Sequence, residues 1–199
     1  MRREHWNRKY ADAELLWSGE PNRTLVREVA DLVPGRALDL ACGEGRNACL
    51  LAELGWHVTG VDFSEVAIAR AQERAAREQL DIDFVCADLL EYEPATEAFD
   101  LVLVFYLQIP ASERRSVLER AASAVRAGGT FLLVGHDATN VVDGVGGPSD
   151  PDLLYTPDEI AGELPGLEIE KAERVLRDVT DADRPAIDAL VRARRPGRA

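Results

Sequence analysis

The chain has 199 residues, and its 23 Lys and Arg against 36 Asp and Glu give a formal net charge of −13. A composition that is 46% hydrophobic and 30% charged can form a core, which excludes a disordered chain. The excess of negative charge repels a polyanion, so the sequence predicts no nucleic-acid partner. Four arginines in residues 192–198 are interpreted as a solvated tail.

The apolar runs and the N-terminal residues predict where in the cell the protein is located. The longest apolar run, residues 101–107, has seven residues, far short of the roughly 20 that span a bilayer, so no membrane partner is predicted. The first 14 residues carry charges without an apolar stretch after them, which predicts a cytoplasmic address without a secretory signal. Cys42, Cys49 and Cys86 are odd in number and lack a CxxC spacing, which predicts neither a disulfide framework nor a metal site.

Apolar runs alternate with helical stretches along the chain. The predicted elements, in chain order, are helix 23–33 capped by Asn22, strand 37–42, a helix from residue 46, strand 56–61, helix 64–79 capped by Ser64, strands 82–86 and 99–105, helix 112–125, strand 130–135, helix 157–164, and the extended segments 167–179 and 186–194. An apolar strand without alternation, such as 99–105, is typical of a parallel sheet covered on both faces. The predicted class is therefore α/β, a doubly wound, mostly parallel seven-stranded sheet with helices on both faces and an antiparallel C-terminal strand.

The segment LDLACGEGRN, residues 38–47, joins a strand to a helix through two glycines. Gly43 and Gly45 allow backbone angles and close approaches that a Cβ would block, and the helix that begins near Arg46 aims its free amides at the same space. The segment therefore indicates a cofactor loop. A tight turn that needs glycine only for packing is the alternative.

Two further acids each follow a predicted strand, Asp62 in VTGVDFS and Asp88 in FVCADLL. Because the carboxyl ends of parallel strands meet at one edge of a sheet, both are expected beside Gly43 and Gly45. A carboxylate at the end of the second strand can accept both hydroxyl hydrogens of a ribose. An ordinary helix cap is the alternative for a single Asp.

A dinucleotide site is an alternative reading of this loop, because the spacing almost fits GxGxxA followed by an acid about 20 residues later. Asp39 weighs against it, since a carboxylate inside a buried strand needs a cationic or hydrogen-bonding ligand group. Arg46 and Asn47 are bulky where a pyrophosphate would pass. Asp88 has no role toward a dinucleotide but suits the exocyclic amine of adenine.

Together these segments resemble the motifs of class I S-adenosylmethionine-dependent methyltransferases. The resemblance covers most of the chain and includes LDLACGEGRN as the first motif, VTGVDFS with the ribose-binding acid, CADLL with the adenine-binding acid, FDLVLVFYLQIP as the fourth strand, and VRAGGTFLLV as the glycine turn before the fifth. The form CGEGRN, with Trp17 and the Pro21-Asn22 pair, further resembles the branch that includes tellurite-resistance and thiopurine methyltransferases. The resemblance implies a Rossmann-like fold with S-adenosyl-L-methionine as cofactor and S-adenosyl-L-homocysteine as product.

The resemblance also implies roles for individual residues. It places Asp39, Gly43 and Gly45 around the methionine part of the cofactor, Asp62 on the ribose diol, Phe63 and Leu89 on the adenine ring, Asp88 on the adenine amine, Phe105 on the sulfonium side, and Tyr10 and Trp17 in a lid. Alternatives remain open for the apolar members of this set. Phe63 and Leu89 are equally expected as core residues, and the two N-terminal aromatic residues as a staple of the first helix.

His136 and Tyr106 are the candidate catalytic residues, because both are expected at the carboxyl edge of the sheet. A hydroxyl or amine acceptor benefits from a general base, whereas a thiolate or hydrochalcogenide needs only desolvation and orientation. A loop anchor is the alternative for His136 and a pocket wall for Tyr106. His5 and His57 have no partner at a meaningful spacing and are interpreted as structural or solvated.

The predicted function is transfer of a methyl group to a small-molecule acceptor, with a thiol, chalcogenide or hydroxyl as the accepting group. The fourth strand ends in FYLQIP and lacks the NPPY-type sequence of amine-directed DNA and protein-glutamine methyltransferases, which disfavours those targets. A cofactor-binding protein without turnover and a nicotinamide-dependent oxidoreductase are the alternatives. The oligomeric state is left open.

A single domain is predicted, with a helical lid region (1–33), a cofactor-binding core (34–135), and an acceptor loop with C-terminal strands (136–199). Closure of the Gly- and Pro-rich loop 144–155 over the acceptor is a hypothesis.

Overall fold

Strands and helices alternate through most of the chain, as the sequence predicts. The computed structural model describes residues 3–12, 19–180 and 182–197. The elements are α1 (Arg3–Asp12), α2 (Arg23–Val29), β1 (Arg36–Leu40), α3 (Arg46–Glu53), β2 (His57–Asp62), α4 (Glu65–Glu78), β3 (Ile82–Cys86), β4 (Phe99–Phe105), α5 (Ala111–Ala124), β5 (Val125–His136), α6 (Asn140–Asp143), a 3₁₀ turn (Pro151–Leu153), α7 (Pro157–Gly162), β6 (Glu168–Arg177) and β7 (Ala186–Arg194).

The strands follow the order β3-β2-β1-β4-β5-β7-β6 in one seven-stranded sheet. β2 pairs in parallel with both β1 and β3, whereas β7 runs antiparallel to both β5 and β6. The predicted fold class is therefore confirmed. Both C-terminal segments are strands, and β7 is buried while β6 is largely exposed.

The chain divides into two compact units. The first comprises Met1–Glu93 with Phe99–Leu101, and the second comprises Pro94–Ala98 with Val102–Ala199. The predicted division at residues 33 and 135 within a single domain stays a prediction. Among the described helices, none has the length and apolar content needed to cross a membrane.

Local capping sets the helix starts in the first unit. The Asn22 side chain accepts hydrogen bonds from the amides of Thr24 and Leu25, and Ser64 Oγ accepts one from the amide of Ala67. Both predicted caps are confirmed. The predicted end of the first of these helices is wrong, because α2 stops at Val29, well before the Pro34-Gly35 pair that was expected to end it.

Tertiary pairing corrects two predictions in the second unit. β5 begins at Val125, five residues before the predicted start, because the amide of Gly128 donates to the Arg195 carbonyl and the Arg195 amide to the Gly129 carbonyl. The predicted solvated tail is also wrong for residues 192–195. Arg192 lies in β7 and pairs with Glu170 at 2.9 Å, and the Arg195 guanidinium donates to main-chain carbonyls at the end of α5.

Candidate functional site

The loop between β1 and α3, residues 41–45, is called the glycine loop. Three of its residues have positive φ angles, Ala41 at 63°, Gly43 at 55° and Gly45 at 78°. Only glycine adopts such angles without strain, so this backbone path explains the two glycines directly. The amide of Cys42 donates to the Val61 carbonyl at 3.1 Å, which holds the loop to the end of β2.

Gly43 lies under the N-terminal helix. A Cβ added at Gly43 would lie 2.9 Å from the Tyr10 hydroxyl oxygen, and Tyr10 is only 4% exposed. α1 is held in place by a 2.6 Å hydrogen bond from Ser64 Oγ to Asn7. The structure therefore brings one of the two predicted lid residues onto the glycine loop, and the other, Trp17, lies outside the described residues.

Gly45 has a packing role. An added Cβ would lie 3.0 Å from the Ala71 methyl and 3.2 Å from the Phe84 ring, so Gly45 allows the start of α3 to approach α4 and β3. This is the packing alternative considered from the sequence. Contact of Gly45 with a cofactor stays a prediction.

Asp39 is buried inside β1, 1% exposed, and neither of its carboxylate oxygens has a hydrogen-bond partner among the described residues. Burial raises the pKa of Asp39 from 3.8 to about 7, the neighbouring Asp62 adds to the rise, and Arg46 opposes it. A buried carboxylate without a partner is costly. This position therefore suits a ligand that brings a cation or several N–H donors.

Asp62, the last residue of β2, joins the glycine loop to α4. One carboxylate oxygen accepts from the Gly43 amide at 3.0 Å and the other from the Ser64 amide at 2.9 Å. Burial raises the pKa of Asp62, and hydrogen bonds from the Ser64, Gly43 and Phe63 amides oppose that rise. Each carboxylate oxygen has a second lone pair, so the same group could still accept ribose hydroxyls.

The third predicted acid, Asp88, follows β3 at the same edge. β2 and β3 pair in register, with Asp62 opposite Cys86, and Asp88 lies two residues further on, half-buried, accepting from the Leu90 amide at 3.0 Å. Leu89 is buried and Phe63 half-buried. The first unit thus collects the three acids at the carboxyl end of its strands, and the roles of these side chains toward adenine stay predictions.

Two polar residues of this region were not predicted from the sequence as part of the site. Glu44, within the glycine loop, is buried and pairs with Arg70 of α4 at 2.9 Å. Asn47 accepts a hydrogen bond from the Asn22 amide at 3.0 Å and so attaches the start of α2 to α3. For Asn47 the signal was the burial that an amphipathic α3 implies for a polar residue in its first turn.

The second unit contains a separate group of polar side chains, Tyr106, His136, Arg177 and Asp188, called the Asp188 cluster. Asp188 is 1% exposed, and its Oδ2 accepts from the Tyr106 hydroxyl and from Arg177 Nε, both at 2.7 Å. His136 Nδ1 lies 3.4 Å from Asp188 Oδ1. The ring centroids of Tyr106 and His136 are 5.0 Å apart. The structure therefore brings the two candidate catalytic residues together.

Strand register creates this cluster. β5 and β7 pair so that His136 lies directly opposite Asp188, and side chains opposite each other in an antiparallel pair are close neighbours. Tyr106 follows β4 with φ +53°, and its amide donates to the Val134 carbonyl at 2.7 Å. Phe105, just before it, is buried at the end of β4, and its predicted place on the sulfonium side stays a prediction.

Asp188 and Arg177 were not predicted from the sequence as site residues. The signal for Asp188 was available, because it is a carboxylate inside the apolar segment AIDALV, as Asp39 is inside LDL. Burial by itself would raise the pKa of Asp188, but its contacts with His136, Arg177 and Tyr106 outweigh burial and lower the pKa. Asp188 is therefore an ionised acceptor at neutral pH.

The glycine-rich loop after α6 lies against His136. An added Cβ at Gly147 would lie 2.8 Å from the imidazole ring. Asn140 holds this loop, because its Nδ2 donates to the Gly146 carbonyl at 2.8 Å while its Oδ1 accepts from the Ile187 amide at 2.7 Å. Closure of the loop over an acceptor stays a prediction.

Residues of both compact units match known proteins. Residues 37–129 match the family described as a methyltransferase domain. The chain is 37% identical over 106 residues to a putative methyltransferase of Geobacillus sp. (strain WCH70), covering 51% of this chain and 42% of that protein. It is 32% identical over 96 residues to the ubiquinone biosynthesis O-methyltransferase of Coxiella burnetii, covering 48% and 41%. The chain thus spans less than half the length of these curated relatives.

Solved structures extend the likeness to nearly the whole chain. The N-methyltransferase NodS from Bradyrhizobium japonicum WM9, solved with S-adenosyl-L-homocysteine, superposes with a TM-score of 0.74 at 20% identity, covering 98% of this chain and 100% of that one. The chain therefore shares the Rossmann-like fold of this methyltransferase. TehB from Haemophilus influenzae superposes with a TM-score of 0.73 at 20% identity, covering 98% and 67%.

Proposed function

We propose that the protein binds S-adenosyl-L-methionine and transfers its methyl group to a small-molecule acceptor through a sulfur, chalcogen or oxygen atom. The observation that carries this proposal is Asp39, a buried carboxylate beside the glycine loop whose two oxygens have no partner within residues 3–12, 19–180 and 182–197. The matches to methyltransferases support it. The CGEGRN form of the loop supports a finer assignment to the tellurite-resistance and thiopurine branch.

The residues present fit this cofactor. Its amino acid part carries an ammonium group, the kind of partner that the described residues do not supply to the Asp39 carboxylate. The ribose hydroxyls match the remaining lone pairs of Asp62, and the adenine amine matches Asp88. The Tyr10 hydroxyl limits the space over Gly43 and would help to exclude water.

S-adenosyl-L-methionine supplies a methyl group on a sulfonium sulfur, and methylation of a hydroxyl yields the methyl ether, S-adenosyl-L-homocysteine and one proton. The protein has mainly to orient the reactants and exclude water. Asp39 would hold the methionine part of the cofactor and Asp62 its ribose, and the Asp62 carboxylate is already fixed by hydrogen bonds from the Gly43 and Ser64 amides.

Calorimetric titration with S-adenosyl-L-homocysteine tests the proposal without an acceptor. We expect one site in the wild-type protein and a loss of about 1.5 to 3 kcal/mol of binding free energy in Asp39→Asn, the range for a hydrogen bond to a charged group. Asp100→Asn is the matched control, because Asp100 accepts from the Arg36 amide at 2.8 Å at the opposite end of β1. Equal binding by Asp39→Asn and the control would contradict the proposed place of the ammonium group.

A further inference from the structure

The strand β6 lies at the end of the sheet, and one of its edges pairs with no strand that the structure describes. Seven of its ten residues are exposed and the other three are half-buried. Leu176 is 71% exposed. The strand contains neither glycine nor proline, so its backbone presents a row of N–H and C=O groups to a further strand. Such an edge is a template for pairing with another chain.

The N-terminal part of β6 is less suited to such pairing than the rest. Its register with β7 shifts between Ile169 and Lys171, whereas residues 171–177 pair one to one with residues 186–192. A bulge bends an edge strand and increases its twist, which opposes pairing with a neighbour. A further strand would therefore pair with residues 171–177.

Pairing of β6 with the same strand of a second copy is restricted by symmetry. Two identical edge strands that run antiparallel are related by a twofold axis perpendicular to the sheet, and this axis keeps every side chain on its own face. Because successive side chains alternate between the faces, residues can lie opposite each other only if they belong to the same face. The axis must therefore pass beside one residue, which lies opposite the same residue of the partner.

The charges of β6 select the residue on this axis. Glu173 or Arg174 on the axis would place two like charges directly opposite each other, which is unfavourable. Val175 on the axis places two valine side chains opposite each other. It also places Glu173 opposite the partner's Arg177, and this pair of opposite charges occurs twice because of the symmetry.

Two other positions of the axis are less favourable. An axis at Ala172 pairs Lys171 with the partner's Glu173, but it sets the bulge of each strand against residues 173–175 of the other. An axis at Leu176 places Glu173 opposite residue 179, which lies beyond the end of β6. Val175 alone combines a regular strand, an apolar centre and two pairs of opposite charges.

The side chains next to Val175 are arranged for this contact. Arg177 is already held by Asp188, whose Oδ2 accepts from Arg177 Nε at 2.7 Å, and its side chain is still 30% exposed. A guanidinium that is already fixed loses less side-chain entropy when it meets the partner's Glu173. On the other face, Leu176 and the partner's Leu176 become diagonal neighbours within contact distance, so the pairing would cover this exposed apolar side chain.

We propose that β6 pairs antiparallel with β6 of a second copy of this chain, with Val175 on the twofold axis, so that two seven-stranded sheets join edge to edge. The contact involves one strand from each copy and is small, so the dimer dissociates on dilution, with a Kd on the order of 10 to 100 μM. The pairing involves only residues of the second unit.

Sedimentation equilibrium of the full chain from about 1 μM to about 1 mM measures this dimer without cofactor or acceptor. Glu173→Arg places two arginines opposite each other in each pair and should raise the dimer Kd by about tenfold or more. Glu168→Arg is the matched control, because it makes the same charge change in β6 but lies before the bulge and outside the paired segment. A wild-type protein that stays monomeric, or equal weakening by both variants, overturns the proposal.

Disulfide formation tests the position of the axis. Cys86 is exposed and the other two cysteines are buried, so the variants are made in a Cys86→Ser background. Val175→Cys brings two thiols together across the axis, within the range of a disulfide, whereas two Ala172→Cys thiols are about 20 Å apart in this register. We expect mild oxidation to give a covalent dimer with Val175→Cys and none with Ala172→Cys. Cross-linking through Ala172→Cys, or through neither, overturns the proposed pairing.

Discussion

Asp39 carries an unfavourable interaction in the folded protein that a ligand can relieve. Its carboxylate is buried in β1 without a partner in the part of the chain that the structure describes, whereas Asp188 and Asp62, buried to a similar degree, are bonded to donors. Unpaired burial disfavours the charged form of an acid, and paired burial can favour it. The contrast between these acids therefore supports the proposal that Asp39 meets an external partner, whereas Asp62 and Asp188 hold parts of the protein together.

The stability of the protein is expected to fall with rising pH because of Asp39. Its pKa is raised from 3.8 to about 7 in the folded state, so the folded protein keeps a proton that the unfolded chain has lost. The free energy of unfolding should decrease by about 4 kcal/mol between about pH 4 and pH 7 and level off above that. Urea unfolding at a series of pH values measures this change.

Asp39→Asn should flatten the pH profile and be more stable than the wild-type protein at neutral pH. Asp62 contributes in the same direction, because burial raises its pKa as well, so part of the slope remains in the variant. Asp100→Asn should keep the full slope. An identical slope in Asp39→Asn would show that another group is responsible.

At the scale of the elements, the sequence predicted the strands well and the element ends less well. Strands 82–86 and 99–105 were predicted with the observed bounds, and the caps Asn22 and Ser64 were identified. These features depend on local residue chemistry. The start of β5 was missed because it depends on Arg195, about 70 residues away, whose main chain pairs with Gly128 and Gly129.

Asn22 is expected to be important for the N-terminal part of the first unit. Its side chain caps α2, and its amide donates to Asn47 of α3. Asn22→Ala should lower the free energy of unfolding by about 1 kcal/mol, the usual effect of losing a cap. Chemical denaturation measures the change. Asn22→Ser restores a capping oxygen and should recover most of the loss, and equal losses in the two variants would mean that the cap contributes little.

At the scale of the whole molecule, ligand binding distinguishes the two cofactor classes that the sequence of the glycine loop left open, S-adenosyl-L-methionine and a nicotinamide dinucleotide. A ligand that binds only the folded state stabilises it in proportion to the logarithm of its concentration over Kd. S-adenosyl-L-homocysteine at 100 times its Kd should therefore raise the free energy of unfolding by about 2.7 kcal/mol and increase Tm. NADH should leave Tm unchanged. Stabilisation by NADH alone would favour the dinucleotide reading.

The sequence by itself determined the parts of the protein that depend on neighbours along the chain. The glycine loop directly follows β1, Asp62 is the last residue of β2, and Asp88 comes two residues after the end of β3. Each could therefore be placed from a local pattern together with the rule that parallel strands end at one edge of a sheet. The Asp188 cluster was decided only by tertiary structure. Tyr106 and Asp188 are 82 positions apart, and Asp188 faces His136 because β7 pairs with β5 in one particular register. A shift of that pairing by one residue would turn Asp188 to the other face of the sheet, and no local pattern specifies the pairing of strands so distant in the chain.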